Sequence, residues 1–279
     1  MIKSIPTFVK ISALAVLPLS LTFTAQAQNE QQQALYKIAE DISPKRIESD
    51  ITTLVNFGTR HTLSETESDT RGIGAARRWI KAEFEKISAE CGGCLDVYFQ
   101  SETISGEKRI PDPVEVVSVI AIQRGSTDPE RYVMMSGDID SRVSDVMDFT
   151  SDSPGANDNA SGVAGTLEAA RILSKYKFNG SIVYAALAGE EQGLFGGRIM
   201  ANQVQKDGWR LKAVLNNDMI GNIEGVNGVI NNTTARIFAE GTRVTETTDE
   251  ARTRRFTGGE VDSPSRNLAS QVHAFLCAN

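Results

Sequence analysis

Six carboxylates of this 279-residue chain fall where a folded sheet would gather them. Asp138 and Asp140 follow a short apolar run at 132–135. Asp158 lies in Gly155-Ala156-Asn157-Asp158-Asn159, just ahead of a helical pattern. Glu190 and Glu191 follow the apolar run 181–187, and Asp218 follows the run 212–217. In an open α/β sheet, ligands bind beyond the carboxyl ends of the strands. Carboxylates that meet there repel one another strongly unless a cation neutralises them. The chemistry to expect is a multivalent metal site. Within it, the adjacent Glu190 and Glu191 can divide two tasks, one binding metal and the other facing the attacking water. Each group alone also has an ordinary structural explanation. Asp138 and Asp140 suit a turn, Asp158 a helix N-cap, Asn217-Asp218 the start of a β-turn, and Glu190-Glu191 a surface acidic pair. Their recurrence at successive strand ends favours the metal site.

Strands alternating with helices must position these residues. Residues 31–51 read as a polar helix and 57–67 as a loop. Residues 72–88 form an amphipathic helix on Ile73, Ala76, Ile80, Phe84 and Ile87, spaced by three and four. The β-branched run 114–122 reads as a strand, and 132–135 as a short one. Residues 150–159 form a Ser/Asp/Pro/Gly/Asn loop. A helix follows over 161–176, on Val163, Leu167, Ala170 and Leu173. The wholly apolar 181–187 reads as a strand covered on both faces. Residues 194–206 are helical and 212–217 a strand. Another strand is expected over 234–240, and Pro264 opens a last helix over 265–277. The fold class implied is α/β, a three-layer α/β/α domain with a mostly parallel mixed sheet.

The chain carries 29 Lys and Arg against 36 Asp and Glu, a formal net charge of -7. That balance argues against a nucleic-acid partner, because counterion release requires clustered cations. Residues 1–27 read as a secretory signal: Lys3 and Lys10 lead an apolar stretch, and Ala25-Gln26-Ala27 suits cleavage. No other long apolar run exists, so the expectation is an exported, periplasmic or secreted protein with no membrane partner once the signal is removed. Cys91-Gly92-Gly93-Cys94 lacks the second ligand pair of a zinc knuckle. In an oxidising compartment it reads as a local disulfide, which leaves Cys277 over.

The residues at the strand ends resemble the co-catalytic dinuclear zinc exopeptidases, the group that includes secreted bacterial aminopeptidases, glutamate carboxypeptidase and glutaminyl cyclase. The matching stretches are Ser136-Gly137-Asp138-Ile139-Asp140-Ser141, residues 154–162, Gly189-Glu190-Glu191-Gln192-Gly193-Leu194-Phe195-Gly196 and Asn217-Asp218-Met219-Ile220-Gly221. The match runs from about Gly58 to the chain end. The resemblance implies that Asp158 bridges two metal ions, with Glu191 on one and Asp218 on the other. It implies that Glu190 is the general base, taking a proton from the attacking water and returning it to the leaving amine. It makes Asp140 a carboxylate that orients a ligand. The cofactor implied is a pair of divalent ions, zinc first, with manganese or cobalt as alternatives.

This sequence departs from the group in two places. Where the group has His-x-Asp, it has Asp138-Ile139-Asp140, so a carboxylate replaces an imidazole as metal ligand. An oxygen-rich site shifts preference toward harder ions such as Mn²⁺ or Mg²⁺. The group's last ligand is a His near the domain end. The two His here, His61 and His273, do not fit its context, and the chain reads as short at its C-terminus, with closing strands and one metal ligand expected to be missing. The organisation expected is a signal over 1–27, a helical lead-in over 28–56 and a peptidase domain over 57–279, incomplete at its C-terminus. The function expected is a metallo-aminopeptidase acting on short peptides. Its rivals are another amide hydrolase, of carboxypeptidase or aminoacylase type, and a binding-only relative.

Overall fold

The computed structural model describes residues 33–242, 245–259 and 261–278, with side chains through Ala274. The leader expected over 1–27 and the Cys277 side chain lie outside the described residues. The chain divides into two compact units, Met1–Ile42 and Ser43–Asn279. In the first, residues 33–40 are helical.

The second unit holds six helices and five strands among its described residues. In chain order they are α1 (Pro44–Asn56), α2 (Gly72–Glu90), β1 (Leu95–Ile104), β2 (Val114–Gln123), β3 (Asp128–Asp138), α3 (Ser161–Leu173), β4 (Gly180–Leu187), α4 (Phe195–Lys206), β5 (Arg210–Asn217), α5 (Thr248–Thr257) and α6 (Pro264–Ala278). A π-helical turn, Ala156–Ala160, leads into α3. The single helix expected over 31–51 is broken at 41–43. Pro44 disfavours the helical region for the residue before it, so Ser43 is extended and caps α1, accepting from the Arg46 N–H at 3.3 Å.

The sheet order is β1-β2-β4-β3-β5. β1 pairs antiparallel with β2 and β2 antiparallel with β4, while β3 is parallel to both β4 and β5. Four strands therefore point one way and β2 the other. Alternate residues face opposite sides of a strand, and two apolar clusters follow from that. Val119, Ala121, Tyr184 and Ala186 pack on one face with Leu54 of α1, Ile80 and Phe84 of α2, and Val163 and Leu167 of α3. Ile120, Ile122, Val183 and Ala185 pack on the other face with Met200 of α4. There Tyr132 stacks on Trp209 with ring centroids 4.3 Å apart. Helices on both faces give the three layers expected, a fold shared with solved structures described below.

Three expectations change. β1 was not foreseen: it lies at a sheet edge, and eight of its ten residues are exposed or only partly buried, with no regular alternation. β3 is longer than 132–135. Residues 234–240 form no strand; they are almost wholly exposed and pair with nothing in the sheet. Cys91 and Cys94 do form a disulfide, closing the turn between α2 and β1.

Candidate metal centre

Three parallel strands deliver the acidic residues to one rim. Asp138 ends β3 and pairs with Leu187 at the end of β4, and Gly137 pairs with Asn217 at the end of β5. Glu190 comes three residues past β4, and Asp218 one residue past β5. Asp158 arrives from the π-helical turn before α3, where its peptide bond to Asn159 is cis. The turn opens at Gly155, whose φ of +49° lies in the left-handed region, with the Asp158 carbonyl and the Ser141 side chain packed where a Cβ would stand.

Polar side chains hold these segments together. Asn159 is buried; its Oδ1 accepts from the N–H groups of Gly162 at 3.1 Å and Met219 at 3.3 Å, and its Nδ2 donates to the Asn217 carbonyl at 2.8 Å. Asn157 Oδ1 accepts from Gly221 N–H at 2.9 Å, and Ser161 Oγ from Ile220 N–H at 3.2 Å. The Asp218 segment thus hangs on the Asp158 turn. The fully buried Arg60 guanidinium donates to the carbonyls of Ile139 at 2.8 Å, Leu54 at 3.0 Å, Pro154 at 2.7 Å and Gly155 at 2.9 Å. It fixes the strand end bearing Asp138 and Asp140 against the loop bearing Asp158. Burial lowers its pKa to about 10, against the pull of Asp140 and Asp158.

Asp140 is buried and accepts from Glu190 N–H at 3.2 Å, Glu191 N–H at 3.0 Å and the Thr62 hydroxyl at 2.9 Å. The sequence resemblance made it a carboxylate that orients a ligand. Here it grips the backbone of the two glutamates. Burial raises its pKa, opposed by these bonds. Burial also pushes Asp138 up to about 7, helped by the charges of Asp140, Glu190 and Asp218. Glu190, half-buried, is likewise raised to about 7 by burial and then by Asp140, Glu191, Asp218 and Asp158. Asp218 is raised by burial and by Asp158. Burial raises Glu191 too, against the Arg142 guanidinium, whose Nε donates to Glu191 Oε2. Arg109 donates to the Glu191 carbonyl at 2.5 Å.

The charges of all six predicted residues therefore act within one rim. Among the described residues, no three His, Cys, Asp or Glu side chains are drawn close enough to hold an ion in this arrangement. The donor chemistry still fits a divalent cation. Asp138, Asp158, Glu191 and Asp218 offer oxygen ligands, and the part of the upward shifts that neighbouring carboxylates add to burial is a repulsion that a cation relieves. Neither histidine joins them. Both His61 ring nitrogens face protein groups, Leu63 N–H at 3.0 Å and the Val146 carbonyl at 3.1 Å. His273 lies exposed on α6. Sequence reasoning missed Arg60, Thr62, Asn157, Asn159 and Gln192. The two asparagines stood inside a quoted motif without a role. Arg60 and Thr62 lie in the stretch 57–67, which reads as a loop without a chemical role, and 59–62 are buried.

A three-layer α/β/α protein with an acidic centre at the carboxyl rim of its parallel strands is the class that fold and site define. A family model described as peptidase family M28 matches residues 118–258, and the chain belongs to that family. A probable zinc metalloprotease of Leptosphaeria maculans is 46% identical over 253 residues, covering 91% of this chain and 58% of the relative. The chain spans about half the length of the curated relatives it matches. LapB from Legionella pneumophila shares the fold, with a TM-score of 0.54 at 23% identity over 70% of this chain and 48% of that one. A leucine aminopeptidase precursor from Bacteroides thetaiotaomicron does so with a TM-score of 0.53 at 16% identity, over 64% and 63% of the two chains.

Proposed function

We propose that this chain carries the centre of an exported, metal-dependent exopeptidase, an aminopeptidase that removes N-terminal residues from short peptides. The observation that carries the reading is Glu190: a half-buried carboxyl, raised to about 7, standing among carboxylates that a cation would neutralise. A base with a pKa near the working pH serves best in both directions of proton transfer. Asp138, Asp158, Glu191 and Asp218 would hold two divalent ions, zinc as in the names of the relatives. The carboxylate of Asp138 makes the donor set oxygen-rich and favours manganese as the alternative. When bound, such ions polarise a peptide carbonyl and lower the pKa of water.

The protein's own part is positioning and proton transfer. Asp140 fixes the peptide from which Glu190 projects. The Glu190 carboxylate takes a proton from the attacking water and returns it to the leaving amine. The negative rim attracts the ammonium group of a peptide N-terminus, which supports the aminopeptidase reading. Arg109 and Arg142, both anchored on Glu191, favour one alternative, a carboxypeptidase that binds a substrate carboxylate. Export is supported by the Cys91–Cys94 disulfide, a bond characteristic of oxidising compartments.

The test is hydrolysis of an aminoacyl anilide with added Zn²⁺ or Mn²⁺, alongside N-acetylated and C-amidated dipeptides. The expected result is cleavage that chelator abolishes, that N-acetylation blocks, and that Glu190→Gln lowers by about 10²-fold or more while metal binding persists. Cleavage blocked by C-amidation instead would establish the carboxypeptidase. Metal binding without cleavage of any substrate would leave a binding-only relative.

A further inference from the structure

We propose that Thr62, Gln192 and His61 are positioning residues, forming a one-way hydrogen-bond chain that ends on Asp140 and fixes the peptide carrying Glu190 and Glu191. All three are buried and none has a role assigned so far; His61 and Thr62 are neighbours in one loop, and Gln192 reaches them from 130 residues away. Thr62 Oγ1 lies 2.9 Å from Asp140 Oδ2 and 2.5 Å from Gln192 Oε1. Gln192 Nε2 lies 2.9 Å from His61 Nε2, which is itself 3.1 Å from the Val146 carbonyl.

The donors and acceptors determine the direction. Leu63 N–H points at His61 Nδ1, 3.0 Å away, so Nδ1 offers a lone pair. Burial lowers the His61 pKa and keeps the ring neutral, so its one proton is on Nε2, aimed at the Val146 carbonyl. A Gln192 Nε2 facing that nitrogen sets donor against donor. The Thr62 hydroxyl, with one proton, would meanwhile face two acceptors. Turning the Gln192 amide by 180°, a rotation that exchanges near-identical atoms, removes both conflicts and gives up only the long 3.4 Å contact from Gln192 Nε2 to the Val146 carbonyl. The His61 Nε2–H is then shared between the Val146 carbonyl and Gln192 Oε1, while Gln192 Nε2–H donates to Thr62 Oγ and Thr62 Oγ–H to Asp140 Oδ2. Every bond points toward Asp140, the arrangement in which successive dipoles strengthen one another. Asp140 spends its other accepting positions on Glu190 N–H and Glu191 N–H. The chain thus ends on the backbone that aims both glutamates.

The kinetic consequence rests on Glu190 acting as the base; the positioning does not, and the experiment separates the two. In the full chain, amide hydrogen exchange at Glu190 and Glu191 is compared for the wild type, Thr62→Val, Thr62→Ser and Gln192→Glu, with the β2 amides of residues 119–122 as the internal reference. Thr62→Val removes the proton given to Asp140. Exchange at the two glutamates should rise about tenfold, as expected when one buried hydrogen bond is lost, with the β2 amides unchanged. Gln192→Glu presents only acceptors and draws the Thr62 proton away from Asp140, so it should do the same. Thr62→Ser should restore wild-type exchange. Turnover should follow the same order, kcat falling about tenfold with KM within about twofold. Exchange that is unchanged in Thr62→Val, or that rises equally in β2, overturns the proposal. An effect of Thr62→Val without one of Gln192→Glu overturns the part beyond Thr62. If the exchange pattern holds in a wild type that cleaves nothing, the chain stands and the peptidase reading falls.

Discussion

At the scale of single residues, the acidic rim makes stability depend on pH in an unusual direction. Asp138 and Glu190 are raised to about 7 from ordinary values of 3.8 and 4.5. The folded state holds their protons more tightly than the unfolded chain does. Their contribution is fully present below the unfolded values and is lost as pH rises through the folded ones. In chelator, the melting temperature should therefore fall between about pH 4 and about pH 7. A divalent cation that binds only the folded chain must displace those protons, so it binds better as pH rises. With Zn²⁺ or Mn²⁺ present, the decline over the same interval should flatten or reverse. Thermal unfolding at half-unit pH steps, with and without ion, measures both curves; parallel curves would mean that no cation competes with these protons.

At the scale of elements, the rim depends on how closely α3 approaches the sheet. A Cβ on Gly137 of β3 would stand 2.4 Å from the Gly162 carbonyl carbon and 2.7 Å from Val163 N, and one on Gly162 would stand 2.2 Å from the Asn217 carbonyl. These contacts are backbone, so no side chain can yield. Gly137→Ala should push α3 off β3, cost about 1–3 kcal/mol as other overpacking does, and weaken ion binding by parting Asp138 from Asp158. Gly197 in α4 has nothing within 4 Å of its Cβ position and an ordinary φ. Gly197→Ala should be neutral or raise stability by up to about 1 kcal/mol. Thermal melts and ion titrations of the pair check this; equal effects would refute the close-approach argument. The same contrast explains what was legible. Runs such as 181–187 and the helix of Ile80 and Phe84 announce themselves because burial on one or two faces imposes a period. The carboxylates were legible because they follow those runs. Thr62 and Gln192 were not, since their partners lie 78 and 130 residues away and buried polar groups satisfying one another leave no period. β1 was missed at a half-exposed edge, and 234–240 was overread because β-branched residues favour a strand only where a neighbour exists to pair with.

At the scale of the molecule, the two sides of the sheet are unequally covered. β1 and β2 lie under α2, and β4 lies between helices, but β5 is an edge strand that, among the described residues, pairs only with β3. Val214 and Leu215, which point to opposite faces of β5, are 48% and 40% exposed, and Met219 and Ile220 just beyond are more than half exposed. Past the register shift near its start, where Arg210 and Lys212 lie, the apolar half of this edge offers N–H and C=O groups to a second strand, and neighbouring exposed apolar residues enlarge the patch. The opposing term is the net charge of -7, which repels like copies. That repulsion acts across solvent and is screened over about 8–10 Å at 0.1–0.15 M salt, whereas edge pairing and apolar burial are not screened. The chain should therefore self-associate in sedimentation velocity, with the average mass rising both with protein concentration and with added salt. Val214→Lys places a solvated cation on the edge, the device that natural edge strands use against pairing. It should shift the population toward monomer although it reduces the net negative charge. That sign separates the two explanations. If charge repulsion governed assembly, Val214→Lys would promote association; if the β5 edge governs it, the same substitution suppresses it.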